Sequence, residues 1–136
     1  MLSTSFLIDT NILSEFVRKR PDPGVLQWAR EVRRVAVSVA TLEEVYFGLS
    51  WKPNPRVRLW LEGFLDTNCE TLPVTPEIAK RSGEIRGQFQ ARGQTRSTAD
   101  MIIASTAQEH DLTLVTRNVR DFADCGILLL NPFREA

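Results

Sequence analysis

The chain has 136 residues, 43% of them hydrophobic and 25% charged, the size and make-up of one globular domain spanning residues 1–136. Its 17 basic and 17 acidic residues leave no net charge, so global electrostatics do not advertise a polyanion partner. No apolar run approaches the ~20 residues a membrane span needs. The one histidine, His110, excludes two-histidine hydrolysis, HExxH zinc sites and zinc fingers, and no P-loop or GxSxG elbow is present. Any catalysis must come from carboxylates.

Phe6-Leu7-Ile8 is a short apolar run that ends in Asp9-Thr10-Asn11, which predicts a buried parallel strand and the start of a helix. Asp9 is in place either to cap that helix or to serve a ligand at the carboxyl end of the strand. Pro21-Asp22-Pro23-Gly24 predicts a turn. Val35 to Val39 is β-branched and apolar and predicts a second strand, with a helix from Thr41 to about Ser50. After the Lys52–Pro55 turn, Val57, Trp60, Leu61, Phe64 and Leu65 recur at helical spacing over 55–68, where core packing is the expected role. Glu70 to Val74 predicts a third strand, followed by a helix over 76–92 with Pro76 at its first position and Gly93 at its end. Ser97 caps a helix to His110 that carries small apolar residues on nearly every face and so is buried. Leu112 to Thr116 and Ile127 to Leu130 complete the strands. Strands alternating with helices predict a three-layer α/β/α sandwich around a mostly parallel sheet.

Asp9, Glu44 and Asp100 occupy equivalent places in that order, each expected at a strand end or in a first helical turn. Thr41-Leu42-Glu43-Glu44 and Ser97-Thr98-Ala99-Asp100 both fit the capping-box pattern, so capping is the competing explanation for each. Helix starts at one sheet edge would bring the three acids together. Such a cluster repels itself unless a cation neutralises it, and hard oxygen ligands select Mg2+ or Mn2+. Cys69 and Cys125 lack CxxC spacing and the N-terminus lacks a secretory pattern, so a reducing, cytoplasmic setting is expected.

The segments Phe6–Asn11, Ser38–Glu44 with Gly48, Ala99–Ala107, Thr116–Phe122 and Asn131–Phe133 resemble, in order and along the whole chain, the motifs of PIN-domain nucleases. The last two of these segments resemble the C-terminal pattern of VapC-type toxins, including the FitB-like branch. The resemblance implies a Mg2+- or Mn2+-dependent endoribonuclease with Asp9, Glu44 and Asp100 as catalytic and metal-binding acids. Glu44 rather than Glu43 matches, because it precedes Gly48 by four residues. Thr10, Thr116, Asn118 and Asp121 are the residues implied around them. The family's fourth acid falls on Asn118, which brings no charge, so the fourth position is open between Asn118 and Asp121.

Arg92, Arg96 and Arg117 are candidate phosphate contacts, against the general expectation that surface arginines are merely solvated. The resemblance further implies an RNA substrate, a small DNA-binding VapB-like antitoxin and a homodimer. That dimer is expected to form through the early helices bearing Phe16, Val17, Val25, Leu26 and Trp28, with Trp51 beyond, and to repeat the basic run Arg30 to Arg34 across its axis. The antitoxin is expected to present a basic side chain to the acids. Two rivals remain. A haloacid-dehalogenase-type phosphotransferase needs an acid where Asn11 stands. A PIN-fold module with weakened catalysis, acting by binding, is favoured by Asn118.

Overall fold

A computed structural model describes residues 4–134; the first three and last two residues of the expected 1–136 domain lie outside them. Among the described residues the strands are β1 (Phe6–Ile8), β2 (Val35–Ser38), β3 (Cys69–Leu72), β4 (Thr113–Val115) and β5 (Leu129–Leu130). They form one sheet in the order β3-β2-β1-β4-β5, and every pairing is parallel. The helices are α1 (Thr10–Phe16), α2 (Pro23–Glu31), α3 (Val39–Trp51), α4 (Pro55–Thr67), α5 (Pro76–Ala91) and α6 (Thr98–Glu109).

Alternation along the strands sorts the core into two layers, because successive strand side chains point to opposite faces. Leu7, Ala36, Leu72 and Leu114 pack with Phe89 of α5 and with Met101, Ala104 and Ala107 of α6. Ile8, Val35, Val37 and Val115 pack on the other side with Ile12 and Leu13 of α1, Leu49 of α3 and Leu61 of α4. Helices therefore cover both faces, as expected for a parallel sheet. The chain winds outward from β1 to β3, then returns through α5 and α6 to β4 beside β1. The direction of winding thus reverses between β1 and β4, where ligands bind in open sheets of this kind.

Several boundaries differ from the sequence expectation. Ser38, not Thr41, caps α3: its hydroxyl accepts the Ala40 N–H at 3.0 Å. The helix therefore begins at Val39, no acid lies in its first turn, and Glu44 falls in the second. Thr41 is buried, its hydroxyl without a partner, so Thr41–Glu44 forms no capping box. Strand β3 starts one residue earlier than expected and stops at Leu72. The Pro21–Gly24 turn is largely a helix start: the Asp22 carboxylate accepts the Gly24 and Val25 N–H groups, and Pro23 takes the first helical position. The start of α5 agrees with expectation in having Pro76 first, and Thr75 caps it. Residue Gly93 beyond its end has φ +79°. Ser97 caps α6 as expected, accepting the Asp100 N–H at 3.0 Å.

Candidate functional site

The register of β1 on β4 pairs Ile8 with Val115, which sets the next residues, Asp9 and Thr116, side by side at the carboxyl ends. Asp9 leaves the strand with its N–H on the Val115 carbonyl at 3.3 Å. Its two carboxylate oxygens then divide their work. Oδ1 accepts the Ile12 N–H at 3.2 Å, capping α1. Oδ2 accepts the Thr116 hydroxyl at 2.5 Å. The cap and the cleft position are therefore held by one side chain, which is only 5% exposed. Thr116 is itself buried, and its oxygen accepts the Asn118 N–H at 3.0 Å. Through this hydroxyl the loop after β4 is fastened to the end of β1.

Burial pushes the Asp9 carboxyl above its ordinary range; hydrogen bonds from Thr116, Ile12 and Asn11 oppose that rise, and the nearby charge of Asp100 adds to it. Burial also raises the pKa of Asp100, with the Ser97 hydroxyl opposing, the Asp121 charge adding, and Arg96 opposing. Asp9, Asp100 and Asp121 thus lie in one electrostatic neighbourhood. Glu44 joins from α3 through Thr10, whose hydroxyl donates to Oε1 at 3.3 Å. Glu43 and Glu44 are both exposed.

The ion pairs among the described residues are Arg18–Glu15 and Arg58–Glu62, and neither involves these acids. No three of their carboxylates close around one point among the described residues. The donor set nevertheless fits a hard divalent cation: carboxylate and amide oxygens, raised carboxyl pKa values and no cationic side chain in an ion pair with them.

The three arginines are placed differently from one another. Arg117 lies over the Phe133 ring at 4.9 Å and lines, with Asn11 and Asn118, a cavity of about 280 Å3. Arg92 is exposed at the end of α5, 4.8 Å from the Phe89 ring. Arg96 turns inward instead: Nη1 donates to the carbonyls of Asp121 at 2.8 Å and Ala123 at 3.2 Å, and the guanidinium lies 4.0 Å from the Phe89 ring centroid. That engagement departs from the expectation of a phosphate contact on an open loop.

Sequence reasoning passed over two buried acids. Glu15 accepts the Asp22 N–H at 2.7 Å and the Arg18 guanidinium at 3.2 Å. Asp22 accepts the Arg134 N–H at 3.0 Å besides capping α2. Asp22-Pro23 was a legible cap signal, since proline favours the first helical position. Nothing local announces the link to Arg134. Both thiols, Cys69 and Cys125, are buried and unpaired, and burial raises Cys69 to about 12.

Several of the early-helix apolar residues pack inward. Val25 is fully buried, Trp28 meets Phe6 edge-on, and Phe16 packs against Trp60 and Phe64. Trp51 remains 70% exposed, beside Phe47 at 63%.

Comparison with known proteins adds an independent line of evidence. A VapC ribonuclease of Sinorhizobium fredii is 28% identical over 96% of this chain and 99% of its own length. The toxin FitB of Neisseria gonorrhoeae is 28% identical over 95% and 99% respectively. The crystal structure of VapBC2 from Rickettsia felis, bound to a DNA fragment from their promoter, superposes with a TM-score of 0.82. It has 25% identity and covers 96% of this chain and 99% of that one. The PIN domain family model matches residues 6–127, a span that includes Asp9, Glu44, Asp100 and Asp121, and the chain belongs to the PIN-domain family.

Proposed function

We propose that the chain is a divalent-metal-dependent endoribonuclease and the toxin of a type II toxin–antitoxin pair. The observation that carries the reading is Asp9: a buried carboxylate at the winding reversal, fastened by Thr116 and close enough to Asp100 to feel its charge. The names of the relatives, ribonuclease and toxin, supply the substrate class and biological role.

In this reading Asp9 and Asp100 hold Mg2+ or Mn2+, with Glu44 completing the site and Asn118 or Asp121 at the fourth position. The bound ion supplies a Lewis acid and lowers the pKa of a water. Thr116 fixes the Asp9 carboxylate, and Thr10 orients Glu44. Arg92 at the end of α5 and Arg117 beside Asn118 are both exposed and offer charge to RNA phosphates.

The partner is a small VapB-like DNA-binding antitoxin that covers the acids with a basic side chain. A cavity of about 210 Å3 runs from Thr10 and Glu44 to Leu13, Trp60 and Leu61, offering apolar anchorage beside the acidic end. A homodimer is also proposed, with the exposed Phe47–Trp51 end of α3 as the apolar patch.

RNA cleavage should be abolished by EDTA and restored by Mg2+ or Mn2+, but poorly by Ca2+, whose longer bonds and looser geometry orient ligands less well. Full activity in EDTA would overturn the reading. Asn118 supports one alternative, a PIN module acting mainly by binding; it predicts no metal-dependent turnover of a mixed RNA pool.

A further inference from the structure

The position equivalent to the family's fourth acid is neutral Asn118, while Asp121 lies one 3-10 turn away, in Val119–Phe122. Beyond that turn the chain has no regular structure until β5, and Asp124 and Gly126 adopt positive φ. Few local bonds hold the segment: Asp121 N–H to the Asn118 carbonyl at 3.0 Å, and Ala123 N–H to Arg120 at 3.4 Å. Arg96 supplies what is missing. One nitrogen of its guanidinium reaches the carbonyls of Asp121 and Ala123, and comes within 3.9 Å of Cys125 Sγ. The guanidinium plane rests near the ring of Phe89, which is buried in the core under α5. Arg96 immediately precedes Ser97, the cap of the helix that carries Asp100.

We infer that Arg96 is a positioning residue for the acid site: it ties the Asp121–Cys125 segment to the start of α6 and so holds the Asp121 carboxylate beside Asp100. The inference rests on the metal-dependent reading above. Asp121 brings the charge that Asn118 lacks. Phe122 and Cys125 anchor the segment by packing in the core with α6, and Arg96 adds the hydrogen bonds that tie the Asp121 and Ala123 carbonyls to the start of that helix. Lysine is a poor substitute, since a flexible stem neither stacks on the Phe89 ring nor is held in place by it as a planar guanidinium is. It does keep the positive charge. Arg96→Lys therefore separates positioning from electrostatics.

Mn2+ binding to the full chain without RNA, followed by titration calorimetry with thermal melts alongside, tests this. Arg96→Lys should weaken Mn2+ binding by about tenfold, the scale of loss when a group that orients ligands is removed. Asp121→Asn should weaken it at least as much, and the double variant should bind no more weakly than Asp121→Asn alone. Wild-type affinity in Arg96→Lys, or losses that simply add in the double variant, would overturn the inference. If Arg96→Lys does not fold, the unmodified chain still decides. Paramagnetic broadening by Mn2+ should reach the Asp121 and Ala123 amides as it reaches Asp100, and broadening that spares them overturns it. A wild-type chain that takes up no Mn2+ overturns the metal-dependent reading itself, an outcome distinct from the other failures.

Discussion

At the residue scale, Asp9 carries opposed demands. Its carboxylate caps a helix and accepts a threonine hydroxyl, both of which favour the charged form, yet burial and Asp100 oppose charge more strongly. A carboxyl whose folded pKa exceeds its unfolded value binds its proton more tightly in the folded state. It stabilises the fold below the ordinary carboxylate pKa of about 3.9 and loses that contribution as pH rises through the raised value. Asp9→Asn and Asp100→Asn keep a hydrogen-bonding side chain but remove the charge. Each variant, free of metal, should melt above the unmodified chain at pH 7, and the difference should vanish as pH falls below about 4. RNA cleavage should drop by at least about 100-fold, beyond the usual loss for groups that merely orient ligands. Retained turnover in both would leave capping as their role. Asp22 has the opposite sign. Burial works to raise its pKa, but the N–H groups of Arg134, Val25 and Gly24, and the Arg134 charge, outweigh it. Its contribution is present at neutral pH and lost as pH falls through the lowered value.

At the scale of elements, Gly24 shows how tightly α2 meets the C-terminal segment. A Cβ there would lie 2.2 Å from the Pro132 carbonyl oxygen and 2.7 Å from Arg134 Cγ. Backbone cannot yield as a side-chain tip does, so Gly24→Ala should destabilise by about 1–3 kcal/mol, the usual cost of overpacking. Urea unfolding measures it, and an unchanged midpoint would mean the segment moves aside freely. Most elements were legible in the sequence because their signals are local: Phe6 to Ile8 as a run, Pro76 and Ser97 as helix starts, Gly93 as a stop. The start of α3 was not, since Ser38 and Thr41 are both competent caps and only packing against the sheet decides between them. Asp9 and Asp100 were legible by position. The inward turn of Arg96 was not, because its partners lie 25 to 29 residues away and no periodicity connects them.

At the scale of the whole molecule, the exposed aromatic pair on α3 bears on association. Phe47 and Trp51 pack on each other at 6.1 Å between centroids while both stay largely open to water. Large apolar groups exposed together mark interfaces more than isolated ones do, and a two-fold dimer is the commonest closed assembly. The isolated chain should sediment as a dimer at tens of micromolar, and Trp51→Glu should shift it toward monomer without loss of helicity. A monomer in the unmodified chain would defeat the dimer while leaving the acid site unaffected.

The bond between Thr116 and Asp9 spans 107 residues of sequence, and this separation has a bearing on synthesis. Chains emerge from the ribosome N-terminal end first, at about 5–20 residues per second. Asp9, Glu44 and Asp100 all emerge before β4 exists to pair with β1. Until Thr116 follows, β1 lacks one neighbour and the Asp9 carboxylate lacks its donor, so the acids are present without the frame that aligns them. A growing chain therefore carries its acids unaligned until nearly its whole length is out. The interval between exposing the early helices and completing β4 is a window in which a partner can meet the chain before its acid site is framed.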